Sequence, residues 1–236
     1  MIDSIDTKGM TLKDASSLIK GELGSIVNLT IFRPSEKKKI TFELTRANII
    51  VKHVPYWGVD NDGIGYVRIT KFSRNTAKDF SLAINEMKDE EIKGLVIDLR
   101  SNSGGLLSNA INILDKLTDR GLNLLNTKGR IKKSNRKMNS RRVPAISNNI
   151  PVAVLINKSS ASASEIVSGV LQDLDRAVIV GTKSFGKGLV QSMYNLNDTT
   201  TLKVTTAKYY TPSGRLIQKE DYLGNGFLTD GLDEKD

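Results

Sequence analysis

The sequence predicts a mixed α/β fold, a core of buried parallel-type strands with flanking helices joined to a β-rich part. Three observations predict it. Short continuous apolar runs, GLVIDLR (94–100), PVAVLIN (151–157) and AVIVG (177–181), alternate with helical patterns, as strands buried on both faces between crossover helices do. The stretch from Leu189 to Tyr210 is rich in Thr and Val and reads as β. Nearer the N-terminus, SIVNLTIFR (25–33) and KKITFELTR (38–46) alternate apolar and polar residues, the pattern of half-buried strands.

The remaining elements follow in order. TLKDASSLIK (11–20) has apolar positions compatible with a short helix, and Gly24 lies in the break behind it. Pro34 separates the two alternating strands. Asn61-Asp62-Gly63 is a turn signal, followed by the strand IGYVRITKF (64–72). NTAKDFSLAINEMKDEE (75–91) predicts an amphipathic helix with Phe80, Ala83, Ile84 and Met87 on one face. GGLLSNAINILDKL (104–117) starts on glycines and becomes helical, and ASEIVSGVLQDLDR (163–176) is the next helix.

A chain of 236 residues with 39% hydrophobic and 26% charged content has the make-up of an ordinary globular protein with a substantial core. It contains no cysteine, which excludes disulfides, thiolate metal sites and a cysteine nucleophile. MIDSIDTKGMTLKD has no apolar signal region, and no run approaches 18 apolar residues, so neither an export signal nor a membrane span is expected in this chain. The net charge of +9 is concentrated in RIKKSNRKMNSRR (130–142), seven Lys/Arg without an acid; about +2 remains elsewhere. That segment has no aromatic residue to stack on bases. It predicts a solvated surface loop and no nucleic-acid partner, with contact to an acidic partner as the alternative.

IVGTKSFGKGLVQ (179–191) poses a chemical choice. Gly181, Gly186 and Lys187 fit a phosphate-binding loop after a strand. Position 188 is Gly where a magnesium-binding hydroxyl belongs, and LVQSMYNL carries no helix signature to supply an N-terminus for phosphate. A P-loop-like nucleotide-binding protein is therefore the distant reading. A lysine can instead act as a general base once apolar surroundings favour its neutral form, and Phe185, Leu189 and Val190 are such neighbours in sequence. The sole histidine, His53, has no catalytic context, and a Ser–Lys pair needs none.

Candidate nucleophiles lie in NKSSASASEIVSG (157–169), between a buried strand and a helix, where unpaired helix N–H groups can hold an oxyanion. Ser162-Ala-Ser-Glu165 also matches a capping box, and spacing alone favours that role. Residue physics does not choose among Ser159, Ser160, Ser162 and Ser164. In DLRSNSGGLL (98–107), two glycines permit unusual backbone angles and exposed N–H groups; a plain tight turn is the equal alternative.

Together these segments, with IGYVRITKFS (64–73) and TTAKYYTPSGRLIQ (205–218), resemble the C-terminal processing peptidases, or tail-specific proteases. The resemblance covers most of the chain from about residue 40, and the run 152–191 is its most specific part. It implies Ser162 as nucleophile, Lys187 as general base and Gln191 as the residue that orients the lysine. It also implies an oxyanion hole from the N–H of Ala163 and from Gly104 or Gly105. The family's proline in the glycine turn is Ser103 here, which predicts a less rigid turn.

Residues 1–33 resemble the second half of a PDZ domain, which in the family binds substrate C-termini by strand addition. The expected organisation is a partial PDZ domain at 1–35 and a peptidase core at 36–236, truncated at its C-terminus. The implied activity is serine endopeptidase cleavage near protein C-termini, without cofactor or metal, on protein or peptide substrates held by their tails. A catalytically silent peptide-binding homologue or fragment is the alternative. Family members work in the cell envelope or periplasm, which is the expectation by resemblance; a cytoplasmic location or a fragment is the alternative, since no signal peptide is read here.

Overall fold

The structure is a computed structural model that describes residues 1–49 and 51–219. Two compact units divide the chain between Val51 and Lys52. In the first, helix α1 (Leu12–Ile19) starts at Thr11, whose hydroxyl accepts the Asp14 N–H at 3.2 Å while the Asp14 carboxylate returns to Thr11. Strands β1 (Ile26–Arg33) and β2 (Lys38–Thr45) form an antiparallel hairpin, Ile26 opposite Thr45 and Arg33 opposite Lys38. Arg46 fastens helix to hairpin, its guanidinium donating to Ile19 O (2.7 Å), Leu18 O (3.1 Å) and Ile26 O (2.8 Å). Orphan carbonyls at the end of α1 thereby gain a cationic donor. The hairpin crosses the sequence-based boundary at 35/36, because β2 pairs only with β1.

The second unit runs β3 (Tyr56–Val59), β4 (Ile64–Arg68), α2 (Thr76–Asp89), β5 (Gly94–Asp98), α3 (Leu107–Leu117), β6 (Asn123–Lys128), β7 (Arg136–Asn139), β8 (Val152–Ile156), α4 (Ala163–Asp173), β9 (Val178–Gly181), β10 (Leu189–Asn195) and β11 (Thr201–Tyr210). Its central sheet has the order β3-β4-β5-β8-β9; β3 is antiparallel to β4 and the other pairs are parallel. Strand order advances in one direction, and α3 packs between α2 and α4. The predicted face of α2, Phe80, Ala83, Ile84 and Met87, is wholly buried. At about 1.5–3 kcal/mol for each large apolar side chain, that face holds the helix down far more than its local propensity does.

A second, antiparallel sheet has the order β10-β11-β6-β7. Its edge is a correction to the sequence reading: the basic segment 130–142 is not all loop, because β7 pairs with β6, Leu125 opposite Met138. Met138 alone among the four residues of β7 is apolar and packs against the core. One apolar residue among polar ones leaves no alternation to read.

Three adjacent parallel strands, β5, β8 and β9, end at one edge of the central sheet. The loops that follow them, 99–106, 157–162 and 182–188, therefore emerge side by side. Such an edge is where open α/β sheets place ligands.

Candidate active site

Backbone acceptors lace the first two loops together. Ser160 Oγ donates to Leu99 O at 2.8 Å, the Ala161 N–H to Asn102 O at 3.0 Å, and Ser164 Oγ to the same carbonyl at 2.8 Å. Asn102 is fully buried; its Nδ2 donates to Ile69 O and its Oδ1 accepts the Gly104 N–H, both at 2.9 Å. The glycine turn lacks a proline, yet these bonds hold it from both sides.

Gly104 and Gly105 have φ of +100° and +143°. A Cβ on Gly104 would lie 2.7 Å from Ala161 O and 2.9 Å from Ser162 Cβ, so the turn is pressed against the Ser162 backbone. The two glycines are not equivalent donors. The Gly104 N–H is engaged by Asn102, whereas those of Gly105 and Ala163 have no acceptor among the described residues. Gly104→Ala would force backbone to shift and is expected to lower the melting temperature by several degrees; a wild-type melting temperature would show that the turn yields freely.

Ser162 is the N-cap of α4, at φ +53° and ψ −111°. Its oxygen occupies the capping-box position opposite the Glu165 N–H but makes no side-chain capping hydrogen bond. The capping box expected from the spacing is present in both halves, the Ser162 oxygen facing the Glu165 N–H and the Ser162 N–H donating to Glu165 Oε2 at 2.8 Å, though the serine's half falls short of a hydrogen bond. The half-buried Ser162 hydroxyl makes no full hydrogen bond among the described residues, and its capping contact leaves room for a second role.

Glu165 joins the third loop to the serine. The same Oε2 accepts the Lys187 N–H at 2.8 Å, while Oε1 accepts the Gly186 N–H at 2.6 Å and the Ser184 hydroxyl at 2.7 Å. One oxygen holds both backbones, so the Ser162 and Lys187 nitrogens lie within twice 2.8 Å of each other. Glu165 is 4% exposed and sits in the first turn of α4, where the helix dipole favours an anion. With four donors, this buried carboxylate has the hydrogen bonds that it needs.

Beyond Lys187, the Gly188 N–H donates to buried Gln218 Oε1 at 2.9 Å, and a Cβ on Gly188 would meet the Gln218 nitrogen at 2.4 Å. Lys187 and Gln191 line one cavity of about 680 Å³, together with Ala161 and Ser103. Gln191 opens outward beside the bulge in β10 and has no side-chain hydrogen bond to Lys187. Residues 189–195 are strand, so the helix that a phosphate loop should open is not there.

The sequence profile of peptidase family S41 matches residues 63–226, about two thirds of the chain. The chain belongs to peptidase family S41. It is 41% identical over 221 residues to a carboxy-terminal-processing protease of Bartonella bacilliformis, covering 92% of this chain and 50% of that one. It is 34% identical over 232 residues to the chloroplastic C-terminal processing peptidase of Tetradesmus obliquus, covering 92% and 49%. Among solved structures, a photosystem II D1 C-terminal processing protease superposes with a TM-score of 0.63 at 32% identity, covering 92% of this chain and 59% of that one. The S41 chain spans about half the length of the curated relatives it matches.

The structure of this S41 chain therefore brings Ser162, Ala163, Gly104, Gly105 and Lys187 to one edge of the sheet, with Gln191 on the cavity wall. Sequence reasoning missed two supporting groups. Glu165 was visible only as a capping residue. Asp98 was visible only as the end of an apolar run, yet it is buried and accepts Tyr66 OH at 2.7 Å, Arg100 Nη2 at 2.7 Å and the Arg100 N–H at 2.9 Å.

Burial alone would raise the Asp98 carboxyl, but the hydrogen bonds from Arg100 and Tyr66 outweigh it and hold the group below the usual aspartate value. A depressed folded-state value stabilises the fold above the unfolded value of about 4. That contribution is lost as pH falls through the lower folded value. Urea melts at descending pH should show the advantage of wild type over Asp98→Asn shrinking below about pH 4; a constant gap would contradict this.

Proposed function

We propose that this chain carries the catalytic centre of a serine endopeptidase in which Ser162 is the nucleophile and Lys187 the general base. The observation that carries the reading is the Glu165 carboxylate, which fastens the backbones of both residues through one oxygen. Membership of family S41 and the printed names of the relatives support the same chemistry.

In the proposed reaction, the Lys187 amine accepts the Ser162 proton as Oγ attacks a peptide carbonyl. The N–H groups of Ala163 and Gly105 receive the oxyanion, and Gly104 shapes the turn that presents the second donor. Lys187 then passes the proton to the leaving amine, and water hydrolyses the acyl-enzyme. Gln191 orients the lysine once substrate closes the cavity, as catalytic contacts that are loose in a free enzyme tighten on binding.

The substrates proposed are proteins cut near their C-termini, with the helix and hairpin of residues 1–45 as a partial PDZ that meets the tail. The basic segment 130–142 is the surface offered to an acidic partner. The place of action is the cell envelope or its organellar counterpart.

The test is degradation of an unfolded reporter ending in a short apolar tail, from pH 6 to 10. Cleavage by wild type that rises with pH, and is absent from folded Ser162→Ala and Lys187→Ala, supports the reading. A folded wild type as inert as both variants sinks it for this chain.

A further inference from the structure

We infer that the cavity lined by Lys187 is a carboxylate-binding subsite, in which Lys158 and Lys203 receive an acidic group of the peptide; this rests on the peptidase reading above. Lys158 lies four residues before Ser162 in the loop between β8 and α4, and Lys203 lies in β11 opposite Met193. Both line the cavity that also holds Lys187 and Gln191. Neither forms an ion pair among the described residues. No described residue of the lining carries a carboxylate. The nearest acid in the loop network, Glu165, is already committed to four donors.

Two lysines on the wall of a concave space whose described lining holds no counter-charge set up a field that favours an anion. Lysine suits a carboxylate met in more than one orientation, because its ammonium is a compact charge with three rotatable donors. The charge assigned to the ligand is that of Lys158 and Lys203, the two lysines of the wall that the proposed reaction does not use. Ala161, Phe185 and Leu189 supply an apolar part of the same wall, and about 680 Å³ falls within the ordinary range of ligand pockets. A carboxylate held there can be the free C-terminus of the substrate or an Asp or Glu side chain. In the first case the cavity sets how many residues lie between the scissile bond and the chain end.

The test uses fluorescent peptides of one apolar sequence binding to the full Ser162→Ala chain. Four ends are compared: a free carboxylate, an amide, an amide with penultimate Glu, and an amide with penultimate Gln. At least one carboxylate-bearing peptide should bind about five- to tenfold more tightly than its neutral counterpart. The gap should close in Lys158→Gln/Lys203→Gln, both exposed positions whose exchange leaves the core untouched, and in 0.5 M salt.

A gain confined to the free acid assigns the subsite to chain ends, and a gain confined to Glu assigns it to side chains. Equal binding of all four, or a gap that survives the double exchange, overturns the inference. Wild-type turnover of the same peptides is scored separately. Turnover with equal binding removes the subsite alone. Carboxylate-dependent binding without turnover removes the peptidase reading and leaves the subsite standing.

Discussion

Ser162→Ala is expected to lower peptide hydrolysis by about 10⁴-fold or more while costing no more than about 1 kcal/mol of stability. The two effects separate because of what the hydroxyl does in the fold. It makes no capping hydrogen bond, and the N–H of residue 162 keeps its bond to Glu165 whatever the side chain. On the proposed mechanism, deleting the oxygen removes the attacking atom at the cost of only a weak capping contact to the Glu165 N–H. Lys187→Ala should cost a comparable factor, and the double variant should be little worse than either, since groups that act as a unit lose their joint effect once. Rates with the reporter, beside urea melts of each variant, check all three. A Ser162→Ala chain that retains even a tenth of wild-type turnover would require another nucleophile.

The second large effect belongs to Glu165. Glu165→Ala leaves the Ser184 hydroxyl and the N–H groups of Ser162, Gly186 and Lys187 without their acceptor. Each buried donor so orphaned costs about 1–3 kcal/mol. A loss of at least about 3 kcal/mol is expected after partial relaxation, together with an activity at least about 100-fold lower. Glu165→Gln separates fold from function. It keeps one acceptor oxygen but turns an NH₂ towards donors, so one backbone must move. It should recover most of the stability and only part of the rate, the deficit falling on kcat rather than KM. Wild-type kcat in folded Glu165→Gln would show that the carboxylate bridge does not position the pair.

Much of the central sheet was legible because buried strands announce themselves. GLVIDLR and PVAVLIN became β5 and β8, and the helix face chosen by periodicity in 75–91 is the buried face of α2. Helical and strand periods persist where one face alone meets the core. β7 was not legible, since its register is set by pairing with β6 and not by its own polar residues. The same holds for β3, four residues whose place comes from β4.

At the site, the candidate residues were nameable from motif wording alone, but their physical relations were not. Ser162-x-x-Glu165 has the spacing of a cap, and only the fold shows that the glutamate also meets a loop 21 and 22 residues further on. Nor could spacing divide Gly104 from Gly105. Their difference comes from the buried Asn102 side chain, which takes one N–H and leaves the other. Long-range hydrogen bonds of this kind leave no periodic trace in a sequence.

The most direct test of the Ser162–Lys187 pair is acylation by a fluorophosphonate probe, mapped by mass spectrometry on the folded chain. One adduct at Ser162, absent from Ser162→Ala and strongly slowed in folded Lys187→Ala, is the predicted result. A folded wild type that stays unlabelled, or labelling of another serine that Ser162→Ala does not change, would contradict it.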